Sequence, residues 1–202
     1  RRYLEIGDEL PASPLIAQVP MSLRADGDTA SVGTKVGAMF ASLATDIDDP
    51  VARLGAIHAS TQSAKEMQQA LAADKIMGLT DLTAPGLISL AARMYTLAGL
   101  SSLTPPIMNL IISNVPGPPF PLYIAGARVE AMYPMGPLLY GTGINITVFS
   151  YTGSIDFGFM VCRELVADHW SLAEGIPVAL AELLTAARSR ARQLDEEDTA
   201  GE

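Results

Sequence analysis

The sequence predicts an α/β fold, a two-layer sandwich in which helices pack on a mixed β-sheet. Three observations carry that expectation. Ile144 to Tyr151 and Ile155 to Val161 alternate apolar and polar residues on either side of Thr152-Gly153, the pattern of an antiparallel hairpin with a two-residue turn. Val51, Leu54, Ile57, Thr61, Ala64, Met67 and Leu71 recur at three- and four-residue steps after Asp49-Pro50, which gives a helix one buried stripe. Ile107 to Ile112 form a short, branched apolar run, as expected of a strand covered on both faces. Strand and helix patterns interleave along the chain, so the sheet and the helices must share one core.

The elements follow in order. Arg1-Arg2-Tyr3-Leu4 looks like the end of a helix already under way, and the expectation is a piece of a longer protein. Gly7 to Pro14 are rich in turn residues and predict a loop. Leu15 to Leu23 predict a strand, and Pro20 within it points to an edge position or to the strand's end there. Asp26 to Gly33 predict an exposed loop, and Val36 to Leu43 a second strand. Asp48 or Asp49 caps the helix that Pro50 opens. Pro85 opens another, with a seam of Leu87, Leu90, Met94 and Leu97, and Gly99 ends it. The strand from Ile107 stops at Ser113-Asn114, because Pro116, Pro118, Pro119 and Pro121 fix φ and remove donors. Gly117, between two prolines, allows a sharp change of direction. Ala127 to Met132 predict a short strand, and Met135 to Gly143 a loop with three glycines that lacks the ending of a phosphate-binding motif. Asp168 caps the last helix, with Ser171 and Glu174 as a capping box. Leu172, Ile176, Leu180, Leu183 and Ala187 give its buried face, Pro177 a kink or new start, and Trp170 closes the core. Residues 1–194 then form one domain unit, and 195–202 an acidic, disordered tail.

The totals exclude several classes. The chain has 202 residues, 49% of them apolar, and a net charge of -9. A nucleic-acid partner wants a basic stripe, so none is expected. The single Cys162 forms no disulfide within the chain, and a reducing, cytoplasmic compartment is the expectation. One Cys and two distant His, His58 and His169, build no metal site. No run of about 18 uncharged apolar residues is present to span a bilayer. No nucleophile elbow and no His-Asp pair at motif spacing appears; Asp168-His169 is a helix cap first. From the residues alone, Ser113-Asn114 fits two readings: a pair of polar groups held at a cleft edge, or a strand and proline turn with no chemistry.

Several segments carry a resemblance in a fixed order. They are Arg1-Arg2-Tyr3-Leu4, Val19-Pro20-Met21-Ser22-Leu23-Arg24, Ile112-Ser113-Asn114-Val115-Pro116-Gly117-Pro118, and Gly143-Ile144-Asn145-Ile146-Thr147 through Gly153. Leu165 through Trp170 and Ala181-Glu182-Leu183 continue the set. Together they resemble the C-terminal half of bacterial wax ester synthase/diacylglycerol acyltransferases. The resemblance implies one subdomain of the chloramphenicol-acetyltransferase-like fold. It implies acyl transfer from acyl-CoA to diacylglycerol or a long-chain alcohol, with no cofactor. The family's His-His-x-x-x-Asp-Gly motif does not occur in these residues, so the catalytic base would come from an N-terminal half, and this piece alone would be inactive. A peripheral place on the inner membrane or on lipid droplets fits such substrates.

Within that resemblance Ser113 is the candidate oxyanion stabiliser. A preorganised donor facing developing charge is worth about 3–4 kcal/mol. The alternative is a hydroxyl bonded to neighbouring backbone. Asn114, Gly117, Asn145 and Thr147 are candidate substrate-binding residues. Asn114 also fits a role pinning the proline loop, and Asn145 and Thr147 fit an exposed strand face equally well. Cys162 stands where the family usually carries an Asp, so that residue's role does not carry over; a small packing side chain is expected. Two other readings stay open: a non-catalytic scaffold of the same fold at a lipid surface, and a condensation-type acyltransferase that uses a carrier-bound acyl group.

Overall fold

In the computed structural model the described residues are 1–22, 36–75, 107–139 and 141–200. Helix α1 (Arg2–Ile6) leads into strand β1 (Ile16–Ser22), strand β2 (Val36–Ser42) and helix α2 (Pro50–Lys75). Strand β3 (Leu110–Pro116), a small pair β4 (Tyr123–Ile124) and β5 (Ala127–Arg128), and the hairpin β6 (Ile144–Tyr151) and β7 (Ser154–Val161) follow. Helix α3 (His169–Ala200) closes the order. The main sheet has five strands in the order β2-β1-β3-β6-β7. Its outer pairs are antiparallel, while β1–β3 and β3–β6 are parallel. The expected mixed sheet with packed helices is therefore present. The loop at 26–33 and the helix expected from Pro85 lie outside the described residues.

The hairpin forms where the alternation places it. Thr152 and Gly153 both take positive φ, 42° and 89°, which suits a turn whose twist matches the strands. Asp49 caps α2: its Oδ1 accepts the Ala52 N–H at 2.7 Å, and Pro50 takes the first helical position, where a missing N–H costs nothing. The stripe on α2 is narrower than the periodicity predicts, because Leu54 and Met67 are exposed.

Several expectations are corrected. The central strand is Leu110–Pro116, not Ile107–Ile112. Ser113 and Asn114 therefore lie inside the strand rather than past its end. Parallel pairing with β6 from Ile111 to Pro116 draws the polar pair into the ladder, and Pro116 is accommodated as the last residue. Pro20 is not on an edge strand, since β1 lies between β2 and β3. The proline is tolerated because β3 pairs only with Ala17 and Gln18 and has left β1 before Pro20 is reached. The strand expected at 127–132 shrinks to Ala127–Arg128. Helix α3 begins at His169, so Ser171 sits within its first turn and its N–H donates to the Asp168 carboxylate at 3.2 Å; the Ser171–Glu174 box is not the cap. Trp170 does not close the core: it is 69% exposed, and Leu180, at 64%, lies off the buried face. Pro177 falls inside one continuous helix that runs through the expected acidic tail to Ala200. Glu196, Glu197 and Ala200 there favour helix, and Arg192 and Glu196 stand four residues apart.

The sheet has two different faces. Ala17, Leu110, Ile112, Ile144 and Ile146 face the helix layer, where Leu172 of α3 approaches them. The other face carries Gln18, Ile111, Ser113, Asn145 and Thr147, and the segment from Pro134 to Leu139 lies across it.

Candidate functional site

The site grows from one divergence in the sheet. β1 and β3 run parallel through Ala17–Leu110 and Gln18–Ile111, then separate. In open parallel sheets, crevices form where neighbouring strands part at their carboxyl ends. Here Ser113 and Val115 of β3 and Gln18 and Pro20 of β1 border a cavity of about 370 Å³. Asn145 and Thr147 of β6 form its floor, and Met135, Gly136 and Pro137 its roof. Register sets this grouping. Ser113 pairs with Thr147, and Thr147 with Gly158, so the three share one row and one face.

The roof is held by the polar side of the hairpin. The Asn145 side-chain amide donates to the Pro137 carbonyl at 2.7 Å, and the Thr147 hydroxyl donates to Asn145 Oδ1 at 3.0 Å. Both residues are buried, 4% and 5% exposed, so they do not lie on a solvent-facing side of the strand. Asp156 accepts the Met132 N–H at 2.8 Å. The buried Tyr151 hydroxyl donates to the Val129 carbonyl at 2.9 Å and accepts the Leu122 N–H at 2.7 Å. Two glycines permit this closeness. A Cβ at Gly136 would stand 2.6–2.8 Å from Asn145 and Thr147, and one at Gly158 only 1.5 Å from the Pro134 carbonyl oxygen. The sequence signal for this role is polar residues recurring at period two on one side of an apolar hairpin.

Ser113 differs from Asn145 and Thr147. Among the described residues its hydroxyl forms no hydrogen bond, to backbone or to side chain. Among the described residues no charged side chain lines the cavity.

Residues 32–184 match the WS/DGAT C-terminal domain family, named for wax ester synthases and diacylglycerol acyltransferases. The chain belongs to that family. It is 43% identical, over 91% of its own length and 40% of the relative's, to a protein of Mycobacterium tuberculosis strain H37Rv whose name assigns it provisionally to the diacylglycerol O-acyltransferases. A second protein of that strain, named in the same way, is 38% identical over 92% of the chain and 37% of its own length. The wax ester synthase/diacylglycerol acyltransferase structure from Marinobacter aquaeolei VT8 superposes with a TM-score of 0.65 at 32% identity, covering 92% of this chain and 40% of that one. This WS/DGAT domain thus spans about two fifths of the length of the relatives it matches.

The other residues singled out in this WS/DGAT domain lie apart from the cavity. Asn114 falls on the opposite face from Ser113, is exposed, and makes no hydrogen bond among the described residues. The proline loop is pinned instead through Gly117, whose N–H donates to the Ser150 hydroxyl at 3.2 Å. Gly117 is packed so closely that a Cβ would lie 2.1 Å from the Ser150 carbonyl oxygen. Its φ is not positive, so close approach, more than a reversal, explains the glycine. Cys162 is half-buried just after β7, where its thiol donates to Glu164 at 3.1 Å. That bond, with one from backbone, holds the Glu164 carboxyl below the ordinary range. His58 is exposed on α2. His169 lines a separate cavity with Trp170 and Tyr133, its Nδ1 buried and unpartnered among the described residues. Neither imidazole reaches the Ser113 cavity.

Among the described residues no group of three or more His, Cys, Asp and Glu side chains is placed to hold a metal ion. No described helix is long and apolar enough to cross a membrane.

Proposed function

We propose that the protein of which this chain is part is an O-acyltransferase that moves a fatty acyl group from acyl-CoA to diacylglycerol or a long-chain alcohol. This domain supplies one wall of the reaction cleft. The observation that carries the reading is a cavity whose described lining is uncharged and holds an unengaged Ser113 hydroxyl, in a domain of the WS/DGAT family. An imidazole from the N-terminal part takes the proton of the acceptor alcohol. The alcohol oxygen attacks the thioester carbonyl, and the Ser113 hydroxyl donates to the oxyanion that forms. Collapse of that intermediate forms the ester and expels the CoA thiolate, which takes the proton from the imidazolium. Acyl-CoA is a substrate, and no cofactor enters the scheme.

The base is not in this domain, because neither His58 nor His169 lies at the cavity. The domain alone is therefore inactive. The exposed Phe120, Tyr123, Ile124, Tyr133 and Met135 support a further partner surface, the N-terminal part of the same protein. A peripheral lipid surface is where the substrates would be met.

The test is acyl transfer by the full-length protein, with His to Ala at the second position of an upstream His-His-x-x-x-Asp-Gly motif as the control. Transfer from acyl-CoA to diacylglycerol or a long-chain alcohol, abolished in the control and absent from residues 1–202 alone, is expected. Full-length protein that transfers to neither acceptor contradicts the reading and favours a scaffold. Transfer only from carrier-protein thioesters reassigns it to the condensation type.

A further inference from the structure

We propose that Gln18 is a second hydrogen-bond donor of the cavity, placed to hold the same substrate carbonyl oxygen as Ser113. The proposal rests on the acyl-transfer reading and adds a residue to it. Among the described residues four polar side chains line the cavity: Gln18, Ser113, Asn145 and Thr147. Two are already engaged. Asn145 donates to Pro137 and accepts from Thr147, which leaves both in place as supports of the roof. Gln18 and Ser113 form no hydrogen bond among the described residues, so their donors are open to a ligand.

Their placement follows from topology. Gln18 is paired beside Ile111, the last contact before β1 and β3 part, and Ser113 lies two residues further along β3. The two side chains occupy the same face and flank the opening between the strands. Two donors from separate rigid strands, aimed at one opening, suit an oxygen on which negative charge develops.

The chemistry of the lining narrows the ligand. A phosphate or pyrophosphate wants Lys, Arg or a helix N-terminus, and among the described residues this cavity offers no charged side chain. Pro20, Ile111, Val115, Met135 and Leu139 instead give apolar walls. The occupant is a neutral carbonyl flanked by hydrocarbon, the acyl end of the substrate.

The test uses the full-length protein with Gln18→Met, which keeps length and volume, and with Gln18→Ala. Turnover of acyl-CoA and diacylglycerol is measured as kcat and KM beside thermal unfolding. The expected result is a kcat loss of about 10²-fold, the lower end for an oxyanion donor, with KM and Tm unchanged. The Gln18→Met, Ser113→Ala double variant should lose less than the product of the two single losses, because both donors serve one oxygen. A wild-type kcat in Gln18→Met beside an impaired Ser113→Ala overturns the role of Gln18 and leaves the acyl-transfer reading standing. A fall in Tm that accounts for the lost activity, or losses that multiply, also overturns it. An unsubstituted protein with no acyl transfer removes both.

Discussion

Strands β3 and β6 each carry a hydroxyl and a side-chain amide, and the structure uses the two pairs differently. On β6, Asn145 and Thr147 stand two residues apart, share one face, and are buried against a loop that meets their hydrogen-bonding needs. On β3, Ser113 and Asn114 are adjacent, so the pleat sends them to opposite faces. Ser113 reaches a cavity and Asn114 an exposed face, and neither is hydrogen-bonded among the described residues. The difference teaches that spacing decides whether two polar residues can cooperate. A pair at period two can build a support, whereas neighbours in a strand divide between the two layers.

The comparison can be broken from either side. The largest effect is expected from Gly158→Val, which forces a side chain into the Pro134 carbonyl and lifts the roof off β6. Overpacking of that kind costs about 3 kcal/mol or more. Chemical denaturation of the full-length protein should show it, and an unchanged midpoint would mean that the roof is not held there. Asn145→Ala comes next. It strips the Pro137 carbonyl and the Thr147 hydroxyl of their partner in a buried place, at about 1–3 kcal/mol. Thr147→Val removes one donor and keeps the shape, so about 1 kcal/mol is expected in the same titration.

The smallest effect concerns a second engaged pair, remote from the cavity. Bonds from the Ser171 side chain, then from its backbone N–H, hold the Asp168 carboxyl below the ordinary range. A lowered folded-state value means that the cap's contribution is present above the unfolded Asp value of about 3.9 and is lost as pH falls through the folded one. Helicity followed by circular dichroism should therefore dip slightly at that acid end in the natural protein. Asp168→Asn should remove this component of the dip and leave the Asn145 effects untouched.

Much of this was legible in the residues because the signals are local. The hairpin turn at Thr152-Gly153 and the Asp49-Pro50 helix start depend on neighbours within a few positions. What sequence reasoning missed depends on partners far along the chain. The strand at Leu110–Pro116 takes its boundaries from parallel pairing with Asn145 to Ser150, which the prolines alone do not reveal. Trp170 looked like a core residue because of its size, yet the helix start places it outward. Gln18 carried no signal until β1 was seen beside β3. Gly136 and Gly158 look like ordinary loop and strand glycines until the Pro134 to Leu139 segment lies on the sheet.

On the function proposed above, the open hydroxyl of Ser113 serves the reaction while the engaged pair on β6 serves the fold. Measuring kcat and Tm together for Ser113→Ala in the full-length protein tests it most directly. The prediction is a kcat loss of about 10²-fold with stability within about 0.5 kcal/mol of the unsubstituted protein. Wild-type turnover, or a stability loss large enough to explain the missing activity, would contradict it.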